Sequence, residues 1–228
     1  MHHNIDIEEL FLDNDVYHYF RMDEYHNIRI KIGEGVKTKI VIVGKANYQL
    51  DILLEENSSL VVNSLNKNNS VNVSITLDEN SEITYNHSVM CNNIDSVNYF
   101  NIHHLKNNSI STINNNGVNM ENNKLFFTVD GIIPSNLFNI SCNQNNKIIN
   151  FKDGFSKIIP NLIIDSNDIV ANHSAYIGKV DDNEKFYLAS RGLNEKSINK
   201  LVYTAVMHGK MECQEEKEEF NKLINEWW

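Results

Sequence analysis

Apolar and polar residues alternate in short segments along most of the chain. The segment 71–77, VNVSITL, is a clear case, because every second residue is Val, Ile or Leu and those between are polar. Comparable segments, each bounded by Asn, Ser, Gly or Asp, follow one another from about residue 27 to residue 180. Since side chains alternate between the two faces of a strand, the pattern predicts many short strands, each with one face in a core.

An internal repeat indicates how these strands are arranged. Residues 52–63, ILLEENSSLVVN, align with residues 75–86, ITLDENSEITYN, at an offset of 23 residues. A looser copy of apolar run, polar turn and apolar run lies at 162–170. A period of this size that contains strands and turns but no helix is typical of a solenoid whose coils stack on one another. We therefore predict a mainly β fold, a parallel β-helix.

Asparagine accounts for about a sixth of the chain and is concentrated between residues 63 and 150. At stacked corners of a solenoid, Asn tolerates left-handed backbone angles and its amide can bond to the next coil. A compositional bias of the source genome would produce the same enrichment, and the residues alone do not decide between the two interpretations.

The pattern changes after residue 180. An apolar stripe at helical spacing follows Asn194, a good N-cap, and Gly209 stands where that helix would end. A second stripe follows a run of acidic residues that suits a helix N-terminus. The two stripes consist of Ile198, Leu201, Val202, Ala205 and Val206, and of Phe220, Leu223, Ile224, Trp227 and Trp228.

These patterns divide the chain into an N-terminal lead-in at 1–26, a β-helix core at 27–190 and C-terminal helices at 191–228. The terminal Trp227 and Trp228 allow two interpretations. They could dock on the open end of the solenoid, which needs a cap, or they could contact a partner, since Trp is common at binding hot spots.

Composition narrows the range of partners. The formal net charge is −10, and such an acidic chain is a poor ligand for nucleic acid or for an anionic membrane. We see no apolar run near the roughly 20 residues that cross a bilayer and no signal-peptide core, so we expect a soluble cytoplasmic protein. The three cysteines, Cys91, Cys142 and Cys213, support neither a disulfide framework nor a CxxC-type zinc site.

Two later segments carry a resemblance to a known family. Residues 160–180 read PNLIIDSNDIVANHSAYIGKV and residues 184–195 read EKFYLASRGLNE. Together with the segment 143–150 upstream, they resemble the SufB/SufD family of iron–sulfur cluster assembly proteins, with a SufD-like character. The resemblance covers roughly residues 130–209, and the earlier part of the chain is similar in style and period only.

The resemblance implies a right-handed parallel β-helix followed by helices. It also implies a non-catalytic accessory or scaffold subunit of the SUF machinery. Two such β-helices pair, so the partner would be a second SufB/SufD-like subunit or a second copy of this chain. A SufC-type ABC ATPase would dock on the C-terminal helices. Family members are typically longer, with an N-terminal helical region for which this sequence has no counterpart.

His173 matches a histidine that the family places where a nascent cluster forms, and imidazole can ligate iron, so we expect a transient Fe–S cluster there. A hydrogen-bonded structural histidine is the alternative. SufB-like members have a cysteine where Gly154 stands and a glutamate where Ser174 stands. Cys142, on a late strand, could replace the missing thiolate, although cysteine is also a common small core residue.

The same resemblance places the ATPase-facing surface at the start of the helical part. Arg191 and Gly192 also have a structural interpretation, because they form the turn before the first predicted helix. His103 and His104 are adjacent on a strand and point to opposite faces, so they should not share a metal. The residues assigned to partner binding are Phe186, Tyr187, Arg191, Gly192, Leu201, Val202 and Trp227.

Two other functions remain open from the residues. A polysaccharide-active β-helix enzyme would need carboxylates gathered on one face, but the repeated positions of Asp51, Glu55, Glu56, Asp78 and Glu79 indicate corners rather than one site. A solenoid that polymerises as a structural protein is the third possibility.

Overall fold

The computed structural model describes residues 8–209, 211 and 214–227. Within them the chain forms fourteen strands followed by three helices. The strands are β1 Glu8–Leu12, β2 Tyr17–Met22, β3 His26–Ile32, β4 Lys37–Gly44, β5 Tyr48–Leu54, β6 Ser59–Lys67, β7 Val71–Leu77, β8 Glu82–Cys91, β9 Ser96–His104, β10 Ile110–Asn119, β11 Lys124–Ile133, β12 Phe138–Asn150, β13 Phe155–Ile164 and β14 Asp168–Lys179. The helices are α1 Asp182–Ser190, α2 Glu195–His208 and α3 Gln214–Trp227.

Odd-numbered and even-numbered strands form two separate parallel sheets of seven strands each, which we call the odd sheet and the even sheet. Each strand pairs with the strand two places further along the chain, so two consecutive strands and their turns make one coil. Because every coil lies on the one before it, the fold is a parallel β-helix. The predicted fold class, mainly β with C-terminal helices, is confirmed.

The register of the sheets matches the internal repeat. Ile52 lies opposite Ile75 in the odd sheet, and Leu60 lies opposite Ile83 in the even sheet. The offset of 23 residues is therefore the length of one coil at that point. Identical spacing brings apolar residues of successive coils into contact, which builds a continuous column of buried Ile, Leu and Val between the sheets.

Asparagine occupies the corners as predicted. Asn57, Asn80, Asn108 and Asn139 have positive φ angles between 55° and 60°, a region that Asn tolerates better than most residues. Asn80 Nδ2 donates to Asn57 Oδ1 at 3.1 Å, and Asn139 Nδ2 donates to Asn108 Oδ1 at 2.9 Å. The corner amides thus bond from coil to coil, and the interpretation of Asn as an ordered corner residue is confirmed.

The boundaries of the β-helix differ from those predicted. Strands β1 and β2 lie within the predicted lead-in at 1–26, yet they pair with β3 and β4 and form the first coil. At the other end, α1 lies inside the predicted core at 27–190. No residue of α1 is buried, so the helix has no apolar stripe by which its sequence could have indicated it.

The two predicted helices are present as α2 and α3. Asn194 caps α2 by accepting a hydrogen bond from the Ser197 backbone at 2.9 Å, and Gly209 ends the helix with a φ of 52°. Both helices pack along the outward side of the even sheet and not across the end of the solenoid. The shared cluster comprises Val41, Val43, Leu65, Met90, Val118, Ile149, Val180, Tyr203, Val206, Met207, Met211, Phe220, Leu223 and Ile224.

Within the described ranges, no helix is both long and apolar enough to cross a membrane.

Candidate functional site

The last coil, β13 and β14, forms an open end of the β-helix. Each of these strands is at the edge of its sheet, so among the residues that the structure describes no strand pairs with the other side of its backbone. Apolar side chains here stay exposed, among them Ile163, Val170 and Ile177. An exposed edge strand with apolar side chains is a template for pairing with another strand.

His173 lies in the middle of this edge. It pairs with Gln144 of β12, and Gln144 in turn pairs with Ile113 of β10. Ile113 and Gln144 are buried, so His173 continues an inward-facing row and is exposed only because no further coil covers it. The open end therefore presents this imidazole together with the neighbouring inward residues of β14.

Cys142 lies on the adjacent strand but is not accessible. It pairs with Ala171, two residues before His173, and its side chain is 1% exposed. Burial raises the pKa of the Cys142 thiol, and a hydrogen bond with Ser111 lowers it by less. A thiol that stays protonated is a poor iron ligand. The structure thus brings the two predicted ligands onto one face without forming a joint site.

SufB-like members have further ligands at the positions of Gly154 and Ser174, and in this chain both residues make structural contacts. A Cβ atom at Gly154 would overlap the side-chain amide of Asn119 and come within 2.7 Å of the Glu121 carbonyl. A cysteine there would therefore require the neighbouring corner to move. The Ser174 hydroxyl faces outward and donates to Asn145 Oδ1 at 3.4 Å.

No group of three or more His, Cys, Asp or Glu side chains that could hold a metal ion occurs in the described part of the chain. Iron–sulfur clusters need several thiolate or imidazole ligands. The residues of one copy, as placed, therefore do not fit a complete cluster site, and His173 could supply one ligand at most.

A ladder of asparagine amides crosses the outward side of the even sheet. Asn145, Asn114, Asn86 and Asn63 each donate from Nδ2 to the next acceptor, with N–O distances of 2.8 to 2.9 Å between them. Asn63 donates to Glu216 Oε2 of α3 at 2.5 Å. The direction of all these hydrogen bonds is set by the Glu216 carboxylate, which can only accept. The sequence could have indicated this ladder, because Asn recurs at equivalent positions of successive predicted strands.

The far end of the ladder is a buried ion pair. Glu216 is 5% exposed, and its Oε1 lies 2.5 Å from Lys39 Nζ of β4. This contact joins the last helix to the first coils. The sequence indicated only an acidic helix start at Glu216 and did not single out Lys39.

The proposed ATPase-facing residues divide into two groups. Phe186 and Tyr187 on α1 are 77% and 56% exposed, and Leu201 on α2 is 52% exposed. The Arg191 guanidinium lies 5.2 Å from the centre of the Tyr187 ring, which adds a charge to this aromatic surface. Val202, by contrast, packs against the helix–sheet cluster.

Two further positions complete the predicted set. Gly192 has a φ of 89°, a backbone angle that the turn before α2 requires and that glycine adopts readily. Trp227 is the last residue of α3, but its side chain lies outside the described residues, as do Trp228 and Cys213.

Two other histidines, His104 and His87, are buried in the core. His104 uses both ring nitrogens, which lie 2.8 Å from Ser109 Oγ and 2.9 Å from Ser111 Oγ, and burial lowers its pKa to about 4. His103 is on the opposite face, as predicted. Sequence reasoning missed His87, which lies inside the column against Phe100 and whose pKa burial lowers to about 3.

Residues 49–206 match the family model described as SUF system FeS cluster assembly, SufBD core domain. That span is more than half of the chain. This protein belongs to the SufBD core family. The predicted resemblance is thereby confirmed, and the match extends well before residue 130, where the sequence had indicated similarity of style only.

The SufBD match includes most of the candidate site. It runs from β5 to the last turns of α2 and so contains Cys142, His173 and the exposed surface of α1, while α3 with Glu216 lies beyond it.

Two curated relatives share shorter segments. The iron-sulfur cluster assembly protein SufD of Escherichia coli (strain K12) is 37% identical over 46 residues, which is 20% of this chain and 11% of that protein. SufD of Bacillus subtilis (strain 168) is 42% identical over 43 residues, 19% of this chain and 10% of that protein. The aligned segments thus span about a tenth of each relative's length.

Proposed function

We propose that this SufBD chain is a non-catalytic scaffold or accessory subunit of cytoplasmic iron–sulfur cluster assembly. The observation that carries the proposal is the open last coil, which presents an unpaired edge, exposed apolar side chains and His173 in a fold of the SufBD family. A chain of this kind contributes surfaces on which other subunits and a cluster meet. Reactions that consume ATP belong to a partner.

The edge strand β14 is the surface for a second β-helix. It is 12 residues long, and its free backbone groups could continue the even sheet into a neighbour. Ile177 and Val170 would lose their exposure in such a pair, which favours association. The partner is a second SufB/SufD-like subunit or a second copy of this chain.

The surface of α1 and the start of α2 is the docking site for a SufC-type ABC ATPase. Phe186, Tyr187 and Leu201 supply exposed apolar area, and Arg191 lies beside them. Aromatic residues and arginine carry much of the binding energy at protein interfaces. Within the described residues nothing in the fold itself requires Phe186 to be apolar, because its side chain is mostly in solvent.

The cluster is cargo in this proposal, and His173 contributes one ligand to it. The remaining ligands come from the paired subunit, because one copy does not assemble them. Pairing through β14 would bring residues of that subunit to the row that His173 now ends.

Pairing is tested by light scattering of the purified chain, alone and mixed with a SufB/SufD-like subunit. We expect a dimer in at least one case and a monomer for Ile177→Lys, which places a charge on the edge. Val97→Lys, at an exposed apolar position of the odd sheet, is the matched control and should still pair. A wild-type chain that stays monomeric in both experiments overturns this part of the proposal.

ATPase docking is tested by pull-down with a SufC-type ATPase at micromolar concentration. Phe186→Asp should abolish capture, whereas Tyr25→Asp, an exposed aromatic residue near the opposite end of the stack, should not. Failure of the wild type to form a complex refutes the docking.

The ligand role of His173 is tested by anaerobic reconstitution of the cluster. Weaker charge-transfer absorption in His173→Ala than in a His103→Ala control supports this role, and equal spectra remove it.

A further inference from the structure

A cavity of about 670 Å³ lies between α2 and the outward side of the even sheet. Its size is within the range of small-molecule sites. One wall is a stripe of α2, formed by Leu201, Val202, Ala205 and Val206, and the far end is formed by the turn from β14 into α1. The proposed function uses the exposed Leu201 of this wall for docking but assigns no ligand to the cavity.

The floor of the cavity is a row of three polar side chains. Asn116 pairs with Lys147, and Lys147 pairs with Tyr176, so the three stand on neighbouring strands that are about 4.8 Å apart. All three line the cavity, with Ile149 beside them. The floor thus gathers an ammonium group, an amide and a phenol hydroxyl against an apolar wall.

The cation on this floor is available to a ligand. Lys147 and the Asn116 amide have no hydrogen-bond or ion-pair partner within the ranges that the structure describes. The only contact of the ammonium group among those residues is with the Tyr176 ring, whose centre lies 5.8 Å from Nζ. An unpaired cation beside a donor amide favours an anion such as a carboxylate.

The other charged groups of the cavity are mostly committed elsewhere. Lys179 Nζ is bonded to Asp153 Oδ1 at 2.8 Å, and the Asp181 carboxylate caps α1 by accepting from two backbone N–H groups. Glu184 lies three residues after Asp181 and also lines the cavity. Since Lys147 is a lysine of this cavity without a carboxylate partner among the described residues, an anionic group would be drawn to it.

We propose that this cavity binds a small carboxylate with an apolar body, the carboxylate on Lys147 and Asn116 and the body against the α2 wall. The inference is independent of the pairing and docking proposed above, because it concerns the isolated chain.

The test is a titration of the methyl-labelled chain with octanoate, observed by NMR. Octanoate should shift the methyl signals of Leu201, Val202 and Val206. Lys147→Met should weaken binding about tenfold, since a charged hydrogen bond is lost. Lys157→Met, an exposed lysine of the odd sheet, should bind as the wild type does.

Two further measurements test the charge that the cavity selects and the place where the ligand lies. Octylammonium, the same body with the opposite charge, should bind more weakly than octanoate. Ala205→Phe, which fills the cavity from an exposed position, should abolish the shifts with an unchanged melting curve. Absence of octanoate binding, equal affinity in Lys147→Met, tighter binding of octylammonium, or persistent binding in Ala205→Phe would each overturn the proposal.

Discussion

Besides its apolar packing on the even sheet, helix α3 is joined to the β-helix by the buried Glu216 carboxylate. Removal of the lysine partner of Glu216 measures how much this polar contact contributes to stability. Lys39 Nζ and Asn63 Nδ2 each lie 2.5 Å from an oxygen of Glu216. In Lys39→Met, Asn63 is the remaining partner of the carboxylate among these groups. Breaking a buried ion pair in this way costs about 3–5 kcal/mol. We expect the lower limit, about 3 kcal/mol, because 32% of the Lys39 side chain is exposed.

The assay is urea unfolding followed by circular dichroism, with the free energy of unfolding extrapolated to water. The double variant Lys39→Met/Glu216→Met removes both charges and should regain all but about 1 kcal/mol, the cost of the unpaired Asn63 amide. Hydrogen exchange should show faster opening of α3 in Lys39→Met than in the wild type.

The matched control is Lys31→Met. Lys31 Nζ lies 2.5 Å from Glu55 Oε1, the same distance, but both side chains are more exposed, at 43% and 33%. Exposed ion pairs contribute about 0–1 kcal/mol. The reasoning is refuted if Lys39→Met costs no more than Lys31→Met, or if the double variant is no more stable than Lys39→Met alone.

Three further outcomes are expected. Gly131→Ala should destabilise the fold by about 1–3 kcal/mol in urea, because its Cβ would lie 2.8 Å from the Cys142 sulfur. Asn114→Ala should cost about 1–3 kcal/mol in the same assay, because it leaves the buried Asn86 Oδ1 without its donor. Burial lowers the pKa of His104 from 6.5 to about 4. As the pH falls, His104 is therefore protonated in the unfolded chain before it is protonated in the folded chain. This contribution of His104 to stability is full above pH 6.5 and should fall by up to about 3 kcal/mol as the pH drops towards 4. His104→Gln should remove it and leave the contribution of His87, whose pKa burial also lowers.

Each of these has its own check. Asn143→Ala, on the same face but outside the ladder, should change stability less than Asn114→Ala. An equal loss of stability at low pH in His104→Gln and in the wild type would contradict the assignment of this loss to His104. A Gly131→Ala variant as stable as the wild type would mean that the column can shift to make room.

Much of the candidate site could be placed from local sequence, because the β-helix is built from local rules. The 23-residue repeat put Ile52 over Ile75, and alternation put His103 and His104 on opposite faces of their strand. Family resemblance selected His173 as a candidate ligand. The exposure of His173 did not follow from these rules, since it depends on whether another coil covers β14.

The sequence by itself determined the solenoid, the corners and the extent of α2, because each depends on neighbours along the chain or on one fixed period. Only the tertiary structure decided where the helices lie and which polar groups they meet. Glu216 reaches Lys39 and Asn63 across more than 150 positions, and the row of Asn116, Lys147 and Tyr176 forms a floor only because α2 lies above it. Such contacts result from how coils and helices pack, and no local pattern of apolar and polar residues records them.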